Sequence, residues 1–203
     1  MYIVIAGDRG LAGGYNSNIL KMVQAQIQGK DAIVLPIGKK AVEFFRTRKV
    51  TALSEAYAEV AEISVGECFS ISKMLSDAYL NGEFDEVRIA YTNFNSVISQ
   101  VPTTRQLLPL VLPENEEKAP YTSDTIYDPN NEDVFAAVVP EYIGGIVYGA
   151  ICESRASEQA ARRTAMDSAT SNAEEMIADL SLKFNRARQA AITNEIIDIV
   201  AGS

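Results

Sequence analysis

The chain has 203 residues, of which 47% are hydrophobic and 22% charged, and its formal net charge is −9. These values are typical of a globular protein with one or two domains. The acidic balance argues against binding to nucleic acid, because proteins that bind the phosphate backbone concentrate positive charge. The sequence contains no histidine, which excludes Ser-His-Asp and Cys-His catalysis and histidine-based metal sites. Its two cysteines, Cys68 and Cys152, are far apart and favour reduced thiols over a disulfide framework or a zinc site.

Residues 1–112 alternate between strand-like and helix-like patterns. A capping box at Ser64–Glu67 marks the start of the third helix, and Pro102 places the last strand at a sheet edge or a bulge. In chain order the predicted elements are strand 2–6, helix 17–29, strand 32–37, helix 39–48, a short strand near 50–53, helix 64–79 and strands 87–91 and 97–107. This order predicts an α/β fold, a Rossmann-like open sheet with three helices, made mixed by its terminal hairpin.

Two further segments follow this domain. Residues 113–128 are predicted to form an acidic surface linker, since they contain few apolar residues. Residues 129–203 are predicted to form a C-terminal helical segment with a break near Pro140, because proline removes a helical hydrogen bond and restricts the residue before it. The prolines and acidic residues of the linker are Pro113, Glu114, Glu116, Glu117, Pro120 and Asp124.

A glycine-rich loop lies between the first strand and the first helix, where phosphate-binding loops occur. Its glycines fall at positions 7, 10, 13 and 14, which matches neither G-x-G-x-x-G nor the Gly-Lys-Ser/Thr ending of a phosphate loop. Two interpretations remain open: a nucleotide site, or a tight turn that lets another backbone approach closely. Asp8 and Arg9 are expected to form a local ion pair or to contact a partner subunit.

The most informative segment is the helix predicted from about Pro140 to Gly202, with no glycine between Gly149 and Gly202. At about 1.5 Å per residue it would be roughly 90 Å long, whereas a domain made from the rest of the chain would be about 30 Å across. The helix must therefore project, and a projecting amphipathic helix requires a partner. The longest apolar runs in the whole chain are five or six residues, so we expect no membrane span.

One stripe of apolar or small residues follows this helix in steps of three or four, as in a coiled-coil seam. The small residues from Ser154 to Ala173 would allow a second helix to approach closely. The alternative is that the helix folds back over the sheet as ordinary core. Lys183, Arg186 and Arg188 form a basic patch that fits either an acidic partner surface or a solvated face. The stripe contains Ile143, Val147, Ala150, Ser154, Ser157, Ala161, Ala165, Ala169, Ala173, Met176, Leu180, Phe184, Ala187 and Ala191.

Four stretches carry a resemblance to a known family. They are Ala-Ser-Glu-Gln-Ala-Ala-Arg at 156–162 with Ala-Met at 165–166 and Ala-Thr at 169–170, Asn-Arg-Ala-Arg-Gln-Ala-Ala-Ile-Thr-Asn-Glu-Ile at 185–196, Asp-Arg-Gly-Leu-Ala-Gly-Gly-Tyr-Asn at 8–16, and Ser-Gln-Val-Pro at 99–102 with Leu-Leu-Pro at 107–109. Together they resemble the gamma subunit of rotary F-type ATP synthases, with Ala12 where many members have cysteine. The resemblance covers essentially the whole chain.

The resemblance implies a non-catalytic rotor shaft that couples transmembrane ion flow to conformational change at catalytic sites held by an alpha/beta ring. It implies alpha, beta and epsilon subunits and a membrane c-ring as partners, a peripheral place on the cytoplasmic side of the plasma membrane, and neither a bound cofactor nor nucleic acid. Arg188, Gln189, Thr193 and Glu195 are the residues that the resemblance places against the beta subunits.

Family members begin with a long helix before the first strand, and here Met1 directly precedes that strand. We therefore expect a chain without the N-terminal helix, whose C-terminal helix is half of an antiparallel coiled coil and associates with itself when isolated. The alternative is a small α/β nucleotide-binding enzyme that dimerises through the same helix. The seam residues expected to meet the partner helix are Ala161, Ala165, Ala169, Ala173, Met176, Leu180 and Phe184.

Overall fold

A computed structural model describes residues 1–110 and 127–202 of the chain. The predicted linker lies outside the described residues from 113 to 126. A single 3-10 turn, Val60–Glu62, stands between the second and third helices. The strands and helices are β1 (Tyr2–Ile5), α1 (Tyr15–Ile27), β2 (Val34–Ile37), α2 (Lys39–Thr47), α3 (Val65–Leu80), β3 (Val87–Ser96), β4 (Ser99–Leu108) and α4 (Asn131–Ala201).

The strands form one mixed sheet in the order β2-β1-β3-β4. Strand β1 pairs in parallel with β2 and β3, and β3 pairs with β4 as an antiparallel hairpin. Strand β4 therefore lies at the edge, as Pro102 predicts, because proline cannot donate a ladder hydrogen bond. The open mixed α/β sheet with three helices beside one long helix is confirmed. The short strand expected near 50–53 is reduced to a single bridge between Val34 and Ala52.

Helices cover both faces of the sheet, so its parallel strands are buried on both sides. Ile3 and Ile5 of β1 point toward α3 and the first part of α4, where the largest core cluster forms. Tyr2 and Val4 point to the other face and pack against α1 and α2. The period-two alternation of strand side chains thus makes two cores from one strand.

The predicted capping box starts α3. The hydroxyl oxygen of Ser64 accepts a hydrogen bond from the Glu67 N–H at 3.3 Å, and the Glu67 carboxylate accepts one from the Ser64 N–H at 2.7 Å. The backbone hydrogen bond from Ser64 is the main reason that the pKa of Glu67 lies below its ordinary value. These bonds satisfy backbone donors that the first helical turn leaves free.

The break expected at Pro140 is wrong, because α4 runs without interruption from Asn131 to Ala201. Pro140 leaves the carbonyl of Ala136 without its helical donor, but Ala136 is exposed and water can reach it. The Ser72 hydroxyl donates to the Pro140 carbonyl, and Ile143 and Val147 are buried in the main core just beyond it. Packing on α3 outweighs the loss of one helical hydrogen bond.

Helix α4 has two parts with different surroundings. In the packed part, residues 131–165, Ile143, Val147 and Ile151 are at most 1% exposed. In the projecting part, residues 166–201, every residue is exposed. At about 1.5 Å per residue the projecting part is about 54 Å long. The alternative in which the helix is ordinary core therefore applies to the packed part alone.

The expectation of no segment resembling a membrane span needs correction. One 18-residue window of α4 has a mean hydropathy of 1.6, which is high enough for a span by length and composition. The core helix of a water-soluble protein passes the same test. In this helix 28% of the window is buried, so the packing of Ile143, Val147 and Ile151 against α3 and the sheet accounts for only part of its apolar residues.

The two-part division predicts unequal effects of equal truncations. We expect Ile143→Ala to lower the free energy of unfolding by about 2–5 kcal/mol, since it leaves a cavity between α3 and α4. Ile177→Ala, on the projecting part where Ile177 is 67% exposed, should change it by less than about 0.5 kcal/mol. Urea titrations of both variants followed by circular dichroism measure the difference. Equal losses would contradict the division of α4.

Candidate functional site

The joint between α4 and the sheet forms where β1 ends. The last pair between β1 and β3 is Val4 with Ala90, and β3 continues beyond it without that neighbour. There the Thr92 N–H donates to Ser154 Oγ at 3.1 Å, and the Ser157 hydroxyl donates to the Thr92 carbonyl at 3.1 Å. All three residues are at most 2% exposed. Two serines of α4 therefore satisfy backbone groups that a neighbouring strand would otherwise pair.

Tyr15, the first residue of α1, joins this contact from the glycine-rich loop. It is 6% exposed, and burial is the main cause that raises the pKa of its phenol, while a hydrogen bond with Ser154 acts in the opposite direction. The phenol is consequently neutral at physiological pH. Ser154 thus lies between β3 and the start of α1.

The glycine-rich loop is closed by its own side chains. Asn16 accepts a hydrogen bond from the Gly7 N–H at 2.7 Å and donates to the Arg9 carbonyl at 3.0 Å. Asp8 bonds to two backbone groups, and the ion pair expected with Arg9 is not formed. Its carboxylate accepts hydrogen bonds from the N–H groups of Val60 at 3.1 Å and Lys39 at 3.3 Å.

The loop approaches a side chain of α4 rather than another backbone. The Glu158 carboxylate, 8% exposed as a residue, lies directly over Gly7. Arg162, one turn further along α4, forms an ion pair with Glu158 at 2.6 Å and donates to the Gly10 carbonyl at 3.4 Å. A carboxylate thus lies against the loop that would have to receive a phosphate, and like charges repel. This geometry does not favour the nucleotide-binding interpretation.

The predicted seam residues have two kinds of surroundings. Ala161 and Ala165 are half-buried beside a cavity of about 260 Å³ that Ala12, Gly13, Val97 and Ile98 also line. The other five, Ala169, Ala173, Met176, Leu180 and Phe184, are exposed, and the last three are 57–66% exposed. A continuous stripe of this kind is unusual on the surface of a monomer and is typical of an interaction site.

The four residues expected at the beta subunits are all exposed near the end of α4. Arg188 and Glu195, seven residues apart, share one helix face, whereas Gln189 and Thr193, four apart, share a neighbouring face. The Thr193 hydroxyl donates to the Gln189 carbonyl at 2.8 Å. In the basic patch, Lys183 forms an ion pair with Asp179 at 2.7 Å. The residues are close along the helix but do not form one cluster.

Sequence reasoning did not identify Thr92, Gly7 and Glu158 as parts of one joint. A signal was present, since Ser154 and Ser157 interrupt an otherwise apolar stripe at helical spacing. Buried hydroxyl groups require hydrogen-bond partners, so their positions pointed to backbone groups on a facing element. Nothing in the sequence showed which backbone groups those were.

The chain thus combines an α/β domain with one long helix that carries an exposed apolar stripe. The ATP synthase family model, ATP-synt, matches residues 1–203. The chain is 47% identical to an ATP synthase gamma chain of Ruminococcus albus, in a match that covers 100% of this chain and 72% of that protein. It is 40% identical to a sodium ion specific gamma chain of Acetobacterium woodii, covering 100% and 73% of the two proteins.

Solved structures agree in fold. A chain of the Euglena gracilis mitochondrial ATP synthase rotor matches with a TM-score of 0.66 at 18% identity, covering 94% of this chain and 74% of that one. A chain of the Tetrahymena thermophila central stalk and c-ring matches with a TM-score of 0.62 at 22% identity, covering 83% and 75%. The chain belongs to the ATP synthase gamma chain family. It is a rotor-shaft subunit of a membrane-associated ATP synthase.

The hydrogen bonds of the joint predict that removing the Ser154 hydroxyl destabilises the fold. We expect Ser154→Ala to lower the free energy of unfolding by about 1–3 kcal/mol, because the buried Thr92 N–H is left without an acceptor. Ser171→Ala is the matched control, since Ser171 is exposed on the projecting part and should change stability by less than about 0.5 kcal/mol. Urea unfolding measures both, and faster hydrogen exchange at the Thr92 amide should accompany the first. An unchanged Thr92 amide in Ser154→Ala would contradict the joint.

Proposed function

We propose that this chain couples transmembrane ion flow to conformational change at catalytic sites in a surrounding ring of alpha and beta subunits, and that it has no catalytic site of its own. The observation that carries the proposal is the projecting part of α4, about 54 Å of continuous helix in which every residue is exposed. A stiff helix fixed at one end to a folded domain can transmit rotation and make angle-dependent contacts at its other end.

The proposed contacts are those that the family resemblance implies. The projecting part enters the ring, with Arg188, Gln189, Thr193 and Glu195 against the beta subunits. The α/β domain forms the foot of the shaft, facing an epsilon subunit and the membrane c-ring on the cytoplasmic side. Support comes from the exposure of all four residues and from their place within the last turns of α4.

The absence of catalysis is proposed on electrostatic grounds. The buried Glu158 carboxylate lies over Gly7, at the carboxyl end of β1, where doubly wound folds receive their ligands. A phosphate there would meet a negative charge and would have to displace the Glu158–Arg162 ion pair. The resemblance to rotary ATP synthases assigns the nucleotide sites that drive rotation to the ring, and the position of Glu158 supports this assignment.

We further propose that the seam pairs with a second helix in an antiparallel coiled coil, and that the isolated chain is soluble and self-associates through it. Met176, Leu180 and Phe184 are each more than half exposed, and burying them would remove apolar area from water. The small residues of the seam allow close approach of the two helix backbones.

Cross-linking tests the ring contact. The full chain is expressed with alpha and beta subunits of a related bacterial ATP synthase, with Gln189→Cys and a thiol-to-amine cross-linker. We expect a covalent product with the beta subunit, because Gln189 is exposed near the tip of the shaft. Lys73→Cys, exposed on α3 of the α/β domain, is the control and should give none with beta. Equal products, or micromolar ATP binding by the chain alone, would overturn the proposal.

Sedimentation over a wide concentration range tests self-association. We expect an oligomer whose dissociation constant rises at least about tenfold with Leu180→Glu, because the change introduces a charge into the apolar seam. Leu182→Glu makes the same chemical change about 200° around the helix and should leave association within about threefold. A monomer at every concentration, or equal effects of both variants, would contradict pairing through the seam.

A further inference from the structure

The glycine-rich loop, residues 7–14, is the one motif that the proposed function leaves without a role. Its spacing does not match a phosphate loop, and a carboxylate of the same chain lies against it. Yet it directly follows the central strand β1 and directly precedes α1. Its contacts with α4 show what it does instead.

Gly7 is in contact with Glu158 so closely that no side chain fits between them. A Cβ atom at position 7 would lie 2.5 Å from Glu158 Oε1 and 2.7 Å from its carboxyl carbon. The carboxylate is not free to swing aside, because its side chain is only 11% exposed and forms the 2.6 Å ion pair with Arg162. Glycine is therefore required at position 7 by close approach and not by a left-handed backbone.

Successive turns of α4 contact the loop and the adjoining strand from one face. Ser154 and Ser157 hold the backbone of Thr92, Glu158 covers Gly7, and Arg162 donates to the carbonyl of Gly10. The spacing of three or four residues keeps these polar groups on the side of the helix that faces the sheet. The three hydrogen bonds among these contacts are directional, unlike the apolar packing of the same helix on α3.

From this arrangement we infer that the glycine-rich loop is a seat for α4, which fixes the position of the helix along its axis and its rotation relative to the α/β domain. The seat consists of Gly7, Gly10 and Thr92 on the domain, and of Ser154, Ser157, Glu158 and Arg162 on the helix. Apolar packing alone would allow α4 to slide or roll by small amounts. The hydrogen bonds to Thr92 and Gly10, together with the close fit of Glu158 over Gly7, select one register. If the chain acts as a rotor, this fixed register allows torque to pass between the α/β domain and α4, and that consequence rests on the proposed function. The seat itself does not rest on it.

A compensation experiment on the full chain tests the seat. We expect Gly7→Ala to raise the equilibrium constant for unfolding at least tenfold in the parent chain. In the Glu158→Ala background the same change should raise it at least threefold less, since the carboxylate is gone and the remaining close neighbour of the Cβ, Asn16 Oδ1 at 3.2 Å, has to shift by only a few tenths of an ångström. Gly10→Ala is the matched control in the same loop, because it keeps the backbone carbonyl that accepts from Arg162 and adds a Cβ that meets nothing within 4 Å. It should have less than a threefold effect. The same cost of Gly7→Ala in both backgrounds would overturn the inference.

A second measurement reports the orientation of α4 relative to the α/β domain. A contact that only stabilised the fold would not change this orientation. Spin labels at Lys30→Cys and Ser171→Cys, both exposed, report the distance between the domain and the helix. The exposed Cys152 is replaced by serine so that it is not labelled, and Cys68 is buried. We expect one narrow distance distribution in the parent and in Gly10→Ala, and a shifted or broadened one in Gly7→Ala and in Glu158→Ala. If Gly7→Ala does not fold, Glu158→Ala decides alone. A parental distribution in Glu158→Ala would overturn the seat.

Two further measurements separate this inference from the proposed function. In an assembled ATP synthase, Glu158→Ala should lower the number of ions pumped per ATP hydrolysed at least twofold, while ATP hydrolysis stays within twofold of the parent. Failure of the parent chain to assemble would defeat the rotor function and leave the spin-label result to decide the seat. Protection of residues 10–16 from hydrogen exchange by millimolar ATP would overturn the seat, because Arg162 and Glu158 occupy that surface.

Discussion

The contact between the end of β3 and helix α4 is the interaction on which the rest of the molecule depends. Strand β1 ends before β3 does, so the buried N–H and carbonyl of Thr92 have no strand partner on that side and depend on α4 for their hydrogen bonds. Unpaired backbone groups in a protein interior cost free energy comparable to a lost hydrogen bond. Ser154 and Ser157 supply one acceptor and one donor, at positions three residues apart that face the same way. The sheet is therefore complete only when the helix is in place, and the direction of the helix follows from the direction of the strand.

Helix α4 carries one stripe of apolar and small residues that is buried in the core along its first part and exposed along its second. Up to residue 165 its stripe is core, with Ile143, Val147 and Ile151 packed on α3 and the sheet. Beyond residue 165 the stripe continues in phase but has no covering element within the described residues 1–110 and 127–202. Continuity of phase matters, because it means that a partner helix laid on the projecting part would begin beside the domain. The cavity next to Ala161 and Ala165, lined also by Val97 and Ile98 of the β3–β4 hairpin, lies at that boundary.

The sequence allowed most of the fold to be predicted, because its signals are local. Pro102 identified an edge strand and Ser64 with Glu67 identified a helix start, since each acts on backbone groups within a few residues. The break predicted at Pro140 was wrong because the outcome there is not decided locally. Proline does remove one helical hydrogen bond, but contacts with α3, which is distant in sequence, outweigh that loss and keep α4 continuous. The joint was beyond prediction because Gly7 and Glu158 are far apart in the chain, and their contact depends on how α4 crosses the sheet. The stripe in α4 was predictable, whereas the point at which it leaves the core was not.

The surroundings of Glu158 explain why a loop so similar in position to a phosphate loop serves a different purpose. In both cases glycines let a group approach the backbone closely at the carboxyl end of a central strand. In a phosphate site the approaching group is a ligand that comes and goes, and the loop keeps its backbone donors free for it. Here the Gly7 N–H is already bonded to Asn16, and the approaching group is a carboxylate that belongs to the chain and is fixed by Arg162. Because Glu158 fills the space over Gly7 permanently, the loop holds a helix of its own chain in position and does not bind a ligand. Close approach then secures a helix against the domain, and the glycine is needed for the fit of that helix rather than for chemistry.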